Sequence, residues 1–285
     1  MNNIDKEIVF LGTGTSEGVP RVSCLTNDSN CIVCNDAVKP NSKNRRLNTS
    51  ILLKITNQKT QKNIIIDAGK FFYQSAIKLF PIHNVDSIDA VILTHAHQDA
   101  AGCFDDLRDW TNNTQSKIPI FLRKVDLDVV KKTFYYLVDT TKITSGGTVA
   151  KLEFNEINDE KINILGQDFI PLNVNHGENY FANGYRIDDF SYISDCSYIP
   201  KDTMKKIKGS EIIVLDALRQ GRKHKSHLTL EESIEIILEL KPKLAFFTDA
   251  CHDINHEEVN EFLEIISEKS NIKMQMAFDG LSLKI

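Results

Sequence analysis

The 285-residue chain has no apolar run near the roughly 18–20 residues that a membrane-spanning helix needs. No hydrophobic leader stands before Ile8-Val9-Phe10-Leu11, and the start Met1-Asn2-Asn3-Ile4-Asp5-Lys6 is unlike a transit peptide. The expected location is therefore the cytoplasm, with no membrane partner. Linkers rich in Pro, Gly or Ser are missing, as are short-period repeats, so residues 1–285 are expected to form a single domain. Positive charge is scarce: 34 Lys and Arg face 39 Asp and Glu, for a net charge of −5. That balance argues against broad electrostatic capture of nucleic acid and leaves room for one local basic patch. Cysteines number only six, and in a reducing compartment they point to metal binding or reactive thiols before disulfides. What the chain does have is hydrophobic residues, at 41%, ample for a large core.

Short apolar strands alternate with amphipathic helices. Strands are predicted at Ile8–Leu11, Ser50–Ile55, Asn63–Asp67, Ala90–Thr94, Ile118–Leu122 and Lys151–Glu156. The later half repeats the pattern, with strands at Phe169–Val174, Tyr180–Ile187, Phe190–Ser194, Glu211–Leu215, Leu244–Thr248 and Leu281–Ile285. Helices are predicted at Phe72–Leu79, Ala101–Trp110, Leu127–Leu137, Lys201–Lys206, Leu230–Leu240 and Glu257–Glu268. Thr229 and Glu232 fit a capping box ahead of the stripe Leu230, Ile234, Ile237 and Leu238, which ends at Lys241-Pro242. Asn255 fits as cap of a helix with Val259, Phe262, Leu263 and Ile266 on one face. Such a pattern suits two sheets packed face to face with helices outside.

The most telling stretch is Val91-Ile92-Leu93-Thr94-His95-Ala96-His97-Gln98-Asp99. A strand buried on both faces runs straight into two histidines at alternate positions, which can point the same way and grip one metal ion. Asp99, one step on, can serve that ion, a second ion or a bound water. A bare His-x-His is more often a solvent-facing pair. Here other ligand-type residues end other apolar strands: Asp67, His176, Asp195, Asp216 and Asp249. Singly, each also reads as a turn former or capping group. Together they would form a metal-binding rim, since an ionised group beside a buried strand is costly unless paired or metal-bound. Cys24, Cys31 and Cys34 cluster in a polar region and need one more ligand for a structural zinc, the other reading being unmetallated or redox-active thiols. Cys103, Cys196 and Cys251 read as packing residues, and His83, His224 and His256 as surface residues. Gly12-x-Gly14 lacks the full dinucleotide pattern and suits a tight loop on an active-site floor.

These pieces, with Phe10-Leu11-Gly12-Thr13-Gly14-Thr15-Ser16-Glu17-Gly18-Val19-Pro20, Arg46-Leu47-Asn48-Thr49-Ser50, Asn175-His176-Gly177, Ile193-Ser194-Asp195, His227-Leu228-Thr229 and Thr248-Asp249-Ala250-Cys251-His252, occur in one order along the chain. In that order the sequence resembles the metallo-β-lactamase superfamily, and within it the cyclic-phosphate phosphodiesterases of phosphonate breakdown and their relatives. The resemblance implies an α/β fold, an αββα four-layer sandwich with the active site at one edge of the sheets. It implies that His95, His97 and His176 hold a first metal, that Asp195 bridges to a second, and that Asp99 belongs to the second site. His227 resembles the catalytic histidine that assists the phosphate and the leaving group. His252 takes the position that completes a structural zinc with Cys24, Cys31 and Cys34, in an insertion near residues 20–45.

Two departures stand out. Ala100 follows Asp99 where the resemblance calls for histidine, and Asp249 follows Thr248 where it again calls for histidine. Eukaryotic-type relatives resemble this chain in lacking both imidazoles. The oxygens left, from Asp99, Asp195 and Asp249, are poorer for zinc and better for manganese or magnesium; Asp105 or Asp106 could compensate. The expected cofactors are zinc or manganese, as one or two active-site ions, plus the structural zinc. The expected function is hydrolysis of a small cyclic or nucleotide-like phosphate by a metal-activated hydroxide, with Asp99 and His227 catalytic. The basic run Arg222-Lys223-His224-Lys225 could bind phosphate, or be a solvated loop. Competing readings are a ribonuclease Z-like RNA-processing enzyme, a thioester or lactam hydrolase, and a catalytically weakened metal-binding protein. The partner expected is a small phosphate ester; a nucleic acid is not expected, and no oligomeric state is legible.

Overall fold

In the computed structural model, which describes residues 4–27, 30–58, 60–142 and 147–285, two seven-stranded sheets face each other. The strands are β1 (Asp5–Gly12), β2 (Ser50–Thr56), β3 (Gln61–Ile66), β4 (Ala90–Ile92), β5 (Ile118–Arg123), β6 (Leu152–Ile157) and β7 (Ile162–Ile164). They continue as β8 (Gln167–Asn175), β9 (Phe181–Ile187), β10 (Phe190–Ile193), β11 (Ile212–Asp216), β12 (Leu244–Thr248), β13 (Lys273–Met276) and β14 (Ser282–Lys284). The first sheet has the order β14-β1-β2-β3-β4-β5-β6 and the second β13-β12-β11-β10-β9-β8-β7. Each half of the chain builds its sheet alike, with an antiparallel meander first and parallel strands after it. The last strand, β14, then returns to pair with β1.

Side-chain alternation builds the layers. In β1, Ile8 and Phe10 face the second sheet and meet Tyr185, Tyr192 and Phe246 in a central apolar layer. Val9 and Leu11 point the other way and meet Phe72, Ala76 and Phe80 of the helix Phe72–His83. On the far side, Leu230, Ile234 and Ile237 of the helix Leu230–Leu240 cover Leu215, Ala245 and Phe247. The result is helix, sheet, sheet, helix. Each aliphatic or aromatic side chain fully buried in these layers contributes about 1.5–3 kcal/mol.

The capping box at Thr229 and Glu232 forms, and Asn255 caps the helix His256–Ser270. Leu238 and Phe262, assigned above to buried stripes, are exposed. The helix expected over 101–110 is instead a turn of helix at Gln98–Ala101 and another helix at Arg108–Asn113. The ladder breaks because the Cys103 amide donates to the Ala68 carbonyl, at 2.9 Å, instead of continuing the helix. The expected 127–137 helix is likewise two pieces, Lys124–Thr133 and Tyr135–Val138. No described helix is long and apolar enough to cross a membrane.

His256 corrects an expectation: it is buried at 3% exposure, its ring against Phe278, and not on the surface. Burial, reinforced by Arg46 and Lys43, pushes its imidazole from 6.5 down to about 4. The unfolded chain gains this proton as pH falls through 6.5, and the folded chain only near 4. The contribution to stability is thus complete above 6.5 and is lost as pH falls toward 4. His256→Gln is expected to flatten that decline, read as urea midpoints at about pH 7.5 and about pH 5. Parallel declines in both proteins would remove His256 as its source.

Candidate active site

Strands β3, β4, β8, β10, β11 and β12 all finish at one edge of the two sheets, the usual place for a site in sheets of this kind. Just beyond them stand Asp67, His95, His97, Asp99, His176, Asp195 and Asp249, with Asp216 as the last residue of β11. Asp67 and Asp249 leave their strands with φ of 65° and 61°, a left-handed turn that aspartate tolerates better than most residues.

The ligand nitrogens of His95, His97 and His176 lie within 4.8 Å of one another. Their ring centroids are 4.6, 5.1 and 5.2 Å apart. Hydrogen bonds fix the tautomers. The Thr94 hydroxyl donates to Asp67 Oδ2 at 2.7 Å, so the hydroxyl oxygen accepts from His95 Nδ1 at 2.9 Å. His176 Nδ1 donates to the Ser226 carbonyl at 3.0 Å. Nε2 of both rings is left with its lone pair, the arrangement of a metal-ligating histidine with an oriented outer partner. His95 is fully buried and its Nε2 has no hydrogen-bond partner. Burial holds His95 well below, and His97 below, the usual imidazole range, so both are neutral. His97 stacks on Tyr180, with centroids 4.6 Å apart and planes at 6°. A buried, neutral, unpartnered nitrogen beside two further imidazoles fits a divalent metal ion.

Asp195, buried at 3% exposure, groups with His176 and His227 within 4.8 Å. Asp99 Oδ1 lies 3.8 Å from His95 Nε2 and has no hydrogen-bond partner. Gly69 makes this approach possible, because a Cβ there would sit 1.8 Å from the Asp99 carbonyl oxygen. Ala100 is buried, and its carbonyl accepts from the Ala68 amide at 2.7 Å. Asp249 does not join Asp99 and Asp195 in a three-ligand group. It stands with Asp216 about His227. His227 Nδ1 is 2.9 Å from Asp216 Oδ2 and 2.9 Å from Asp249 Oδ2. A single Nδ1–H serves Asp216, which leaves Asp249 Oδ2 facing the ring without a donor. Burial alone would push the imidazole down, but Asp216 and then Asp249 outweigh it and raise His227 to about 12. Burial in turn pushes both carboxyls up, Asp216 to about 6 and Asp249 well above its usual range. Both carboxyl groups thus favour the charged form of the His227 ring.

Asp216 reads in the sequence as one of the rim acids, an acid closing Ile212-Ile213-Val214-Leu215 as Asp195 closes its strand, but its pairing with His227 is not legible there. Tyr180, Ser226 and the role of Thr94 between Asp67 and His95 also carry no separate signal. Asp105 and Asp106 stay away from the histidines: Asp106 accepts from the Cys103 thiol at 3.0 Å, and both acids line a cavity with Tyr73 and Trp110. His224 is exposed, with its ring 5.3 Å from that of His227. Cys103, Cys196 and Cys251 are buried.

A second centre joins Cys24, Cys31, Cys34 and His252, whose ligand atoms lie within 4.8 Å of one another. His252 Nδ1 is 3.4 Å from the Cys24 sulfur and 3.3 Å from that of Cys31. The fully buried Arg46 brings these distant segments together, donating to the carbonyls of Cys251 at 3.1 Å and Ile254 at 2.9 Å. Burial pushes the Cys34 thiol up to about 12, so a metal must displace its proton on binding. Cys34→Ser is expected to lower Tm by roughly 5–10 °C, from a few kcal/mol of metal-linked stability, without changing turnover per active-centre metal. Thermal unfolding with and without chelator checks this, and an unchanged Tm would remove the structural role.

The sequence profile of the beta-lactamase superfamily domain matches residues 62–248. A curated protein of Porphyromonas gingivalis named octanoyltransferase is 30% identical over 256 residues, covering 90% of this chain and 48% of that protein. The chain thus spans about half the length of that relative. Among solved structures, a new diphosphatase from the PhnP family is 31% identical with a TM-score of 0.80, and the match covers 98% of both chains. The Zn2+-bound PqqB of Methylobacterium extorquens shares the fold at 17% identity, with a TM-score of 0.73 over 98% of this chain and 100% of that one. With more than half its length matched by the profile, and with this αββα frame, the chain belongs to the metallo-β-lactamase superfamily.

Proposed function

We propose that the chain is a metal-dependent hydrolase that cleaves a small phosphodiester, cyclic or nucleotide-like. One observation carries the reading: His95, His97, His176 and Asp195 converge beside His227, whose ring buried carboxyl groups hold as a cation. His95, His97, His176 and Asp195 would hold one zinc or manganese ion. That ion would act as a Lewis acid and lower the pKa of water. Asp99 takes or steers the proton of the attacking water. His227 donates from its ring to a phosphate oxygen or to the leaving oxygen, and stabilises the charge that develops there. Asp216 and Asp249 keep that ring charged and oriented. In this reading Asp249 serves His227. In the basic run, Lys223 pairs with Glu232 at 2.9 Å and Arg222 lies 3.8 Å from Asp253, while Lys225 forms no ion pair among the described residues. The diphosphatase resemblance supports phosphorus chemistry.

A thioester reading rests on the octanoyl transfer in the name of the curated relative. Purified protein supplied with manganese or zinc is expected to hydrolyse bis(p-nitrophenyl) phosphate and to leave an octanoyl thioester intact. Thioester hydrolysis without phosphodiester turnover would overturn the proposal. Metal retained without either activity would favour a binding protein.

A further inference from the structure

Outside the active site, a cavity of about 500 Å³ lies between the segment 38–47, the helix Phe72–His83 and the loop at 278–279. That size is typical of a small-molecule site. Its charge opposes that of the chain. Lys39, Lys43, Arg45 and Lys78 line it, whereas the protein as a whole carries −5. Lys39 pairs with Asp36 at 3.1 Å. Lys43, Arg45 and Lys78 form no salt bridge among the described residues. The one acid in the lining, Asp279, has both oxygens engaged: Oδ1 accepts from the Thr13 hydroxyl and Oδ2 from the Leu47 amide, each at 2.8 Å. Its charge is shared between the buried Arg46 and Lys78.

The floor is apolar. Leu11, Leu47 and Leu79 contribute to it, and Phe278 forms a wall with the Lys43 ammonium 4.9 Å from its ring centroid. Three cations set against a single acid, itself shared with Arg46, give the edge of this apolar pocket an excess of positive charge, which calls for a ligand of matching design, anionic at one end and apolar or aromatic at the other. We propose that this cavity is a second binding site, separate from the metal centre, for a small phosphorylated organic molecule with one or two phosphates. The phosphates meet Lys43, Arg45 and Lys78, and the organic body packs on Phe278 and the leucines. None of the candidate metal ligands and none of the cysteine-centre residues lines the cavity, so the inference stands apart from the hydrolytic reading.

Calorimetric titration of the full chain with ADP, and separately with inorganic pyrophosphate, tests it. ADP is expected to bind the wild type and His95→Ala alike, which places the event outside the metal centre. Lys43→Glu combined with Lys78→Glu, both exposed positions, is expected to weaken ADP binding at least about tenfold, since two favourable charges become repulsive. That variant should keep its Tm and its phosphodiester turnover. ADP binding lost in His95→Ala but kept in the lysine variant would overturn the proposal, as would no saturable binding to the wild type. Pyrophosphate is expected to bind at least about threefold more weakly than ADP, since it lacks the apolar part. Equal affinity would overturn the organic half of the assignment.

Discussion

His95→Ala is expected to strip the active centre of its metal and to reduce phosphodiester turnover by on the order of a thousandfold, since a metal supplies several kcal/mol and each 1.36 kcal/mol is tenfold. His95 is chosen because its geometry is the most constrained: the ring is fully buried, Nδ1 is fixed through Thr94 to Asp67, and Nε2 has no other partner. Alanine leaves a small cavity and removes one of the three imidazoles of the cluster. Elemental analysis should lose the active-centre ion while the ion at Cys24, Cys31, Cys34 and His252 stays. The Cys34→Ser variant should show the reverse. Full activity and full metal content in His95→Ala would end the metal-centre assignment.

The second large effect is at His227. His227→Ala is expected to lower kcat by about 10²–10⁴, the usual worth of a positioned acid, with little change in KM. The pH profile gives the sharper test. Because Asp216 and Asp249 hold the ring charged to about 12, the wild type should keep its activity well into the alkaline range. Asp216→Asn removes the hydrogen-bonded carboxylate, so the raised pKa falls back. Activity is then lost as pH rises through that lower value, and the alkaline limb moves toward neutrality. Asp249→Asn should move it the same way. If both asparagine variants keep the wild-type limb, His227 does not act as the charged acid. Asp249→Asn should also leave the metal content unchanged, because the carboxylate faces His227 and not the histidine cluster.

Much of this is legible along the chain because local rules and global packing agree. Leu230–Leu240 has its bounds written into Thr229, Glu232 and Lys241-Pro242. β4, β11 and β12 are apolar runs closed by acids or histidines, so their ends announce the rim. Other elements depend on contacts that no window reveals. β13, Lys273-Met274-Gln275-Met276, has no β-branched residue and is a strand because β12 lies beside it. The short helices Val22–Thr26 and Ile32–Ala37 carry Cys24 and Cys34, with Cys31 capping the second, in a segment that reads as polar loop. The 101–110 helix fails because a distant carbonyl, that of Ala68, takes its amide. Asp249 shows the same limit at the site. Residue type says only that an oxygen replaces a nitrogen; the fold decides that this oxygen answers to His227.

The two-sheet plan has a further consequence for any assay of this protein. His95, His97 and Asp99 hang from one sheet, and His176, Asp195 and His227 from the other, so the proposed ligand set of His95, His97, His176 and Asp195 needs both halves. Affinity for the ion then works as a gauge of how well the halves are seated. A Phe246→Leu change deep in the shared apolar layer, far from the rim, should register first as weaker metal retention. Melting would report it only later, once the seam itself gives way.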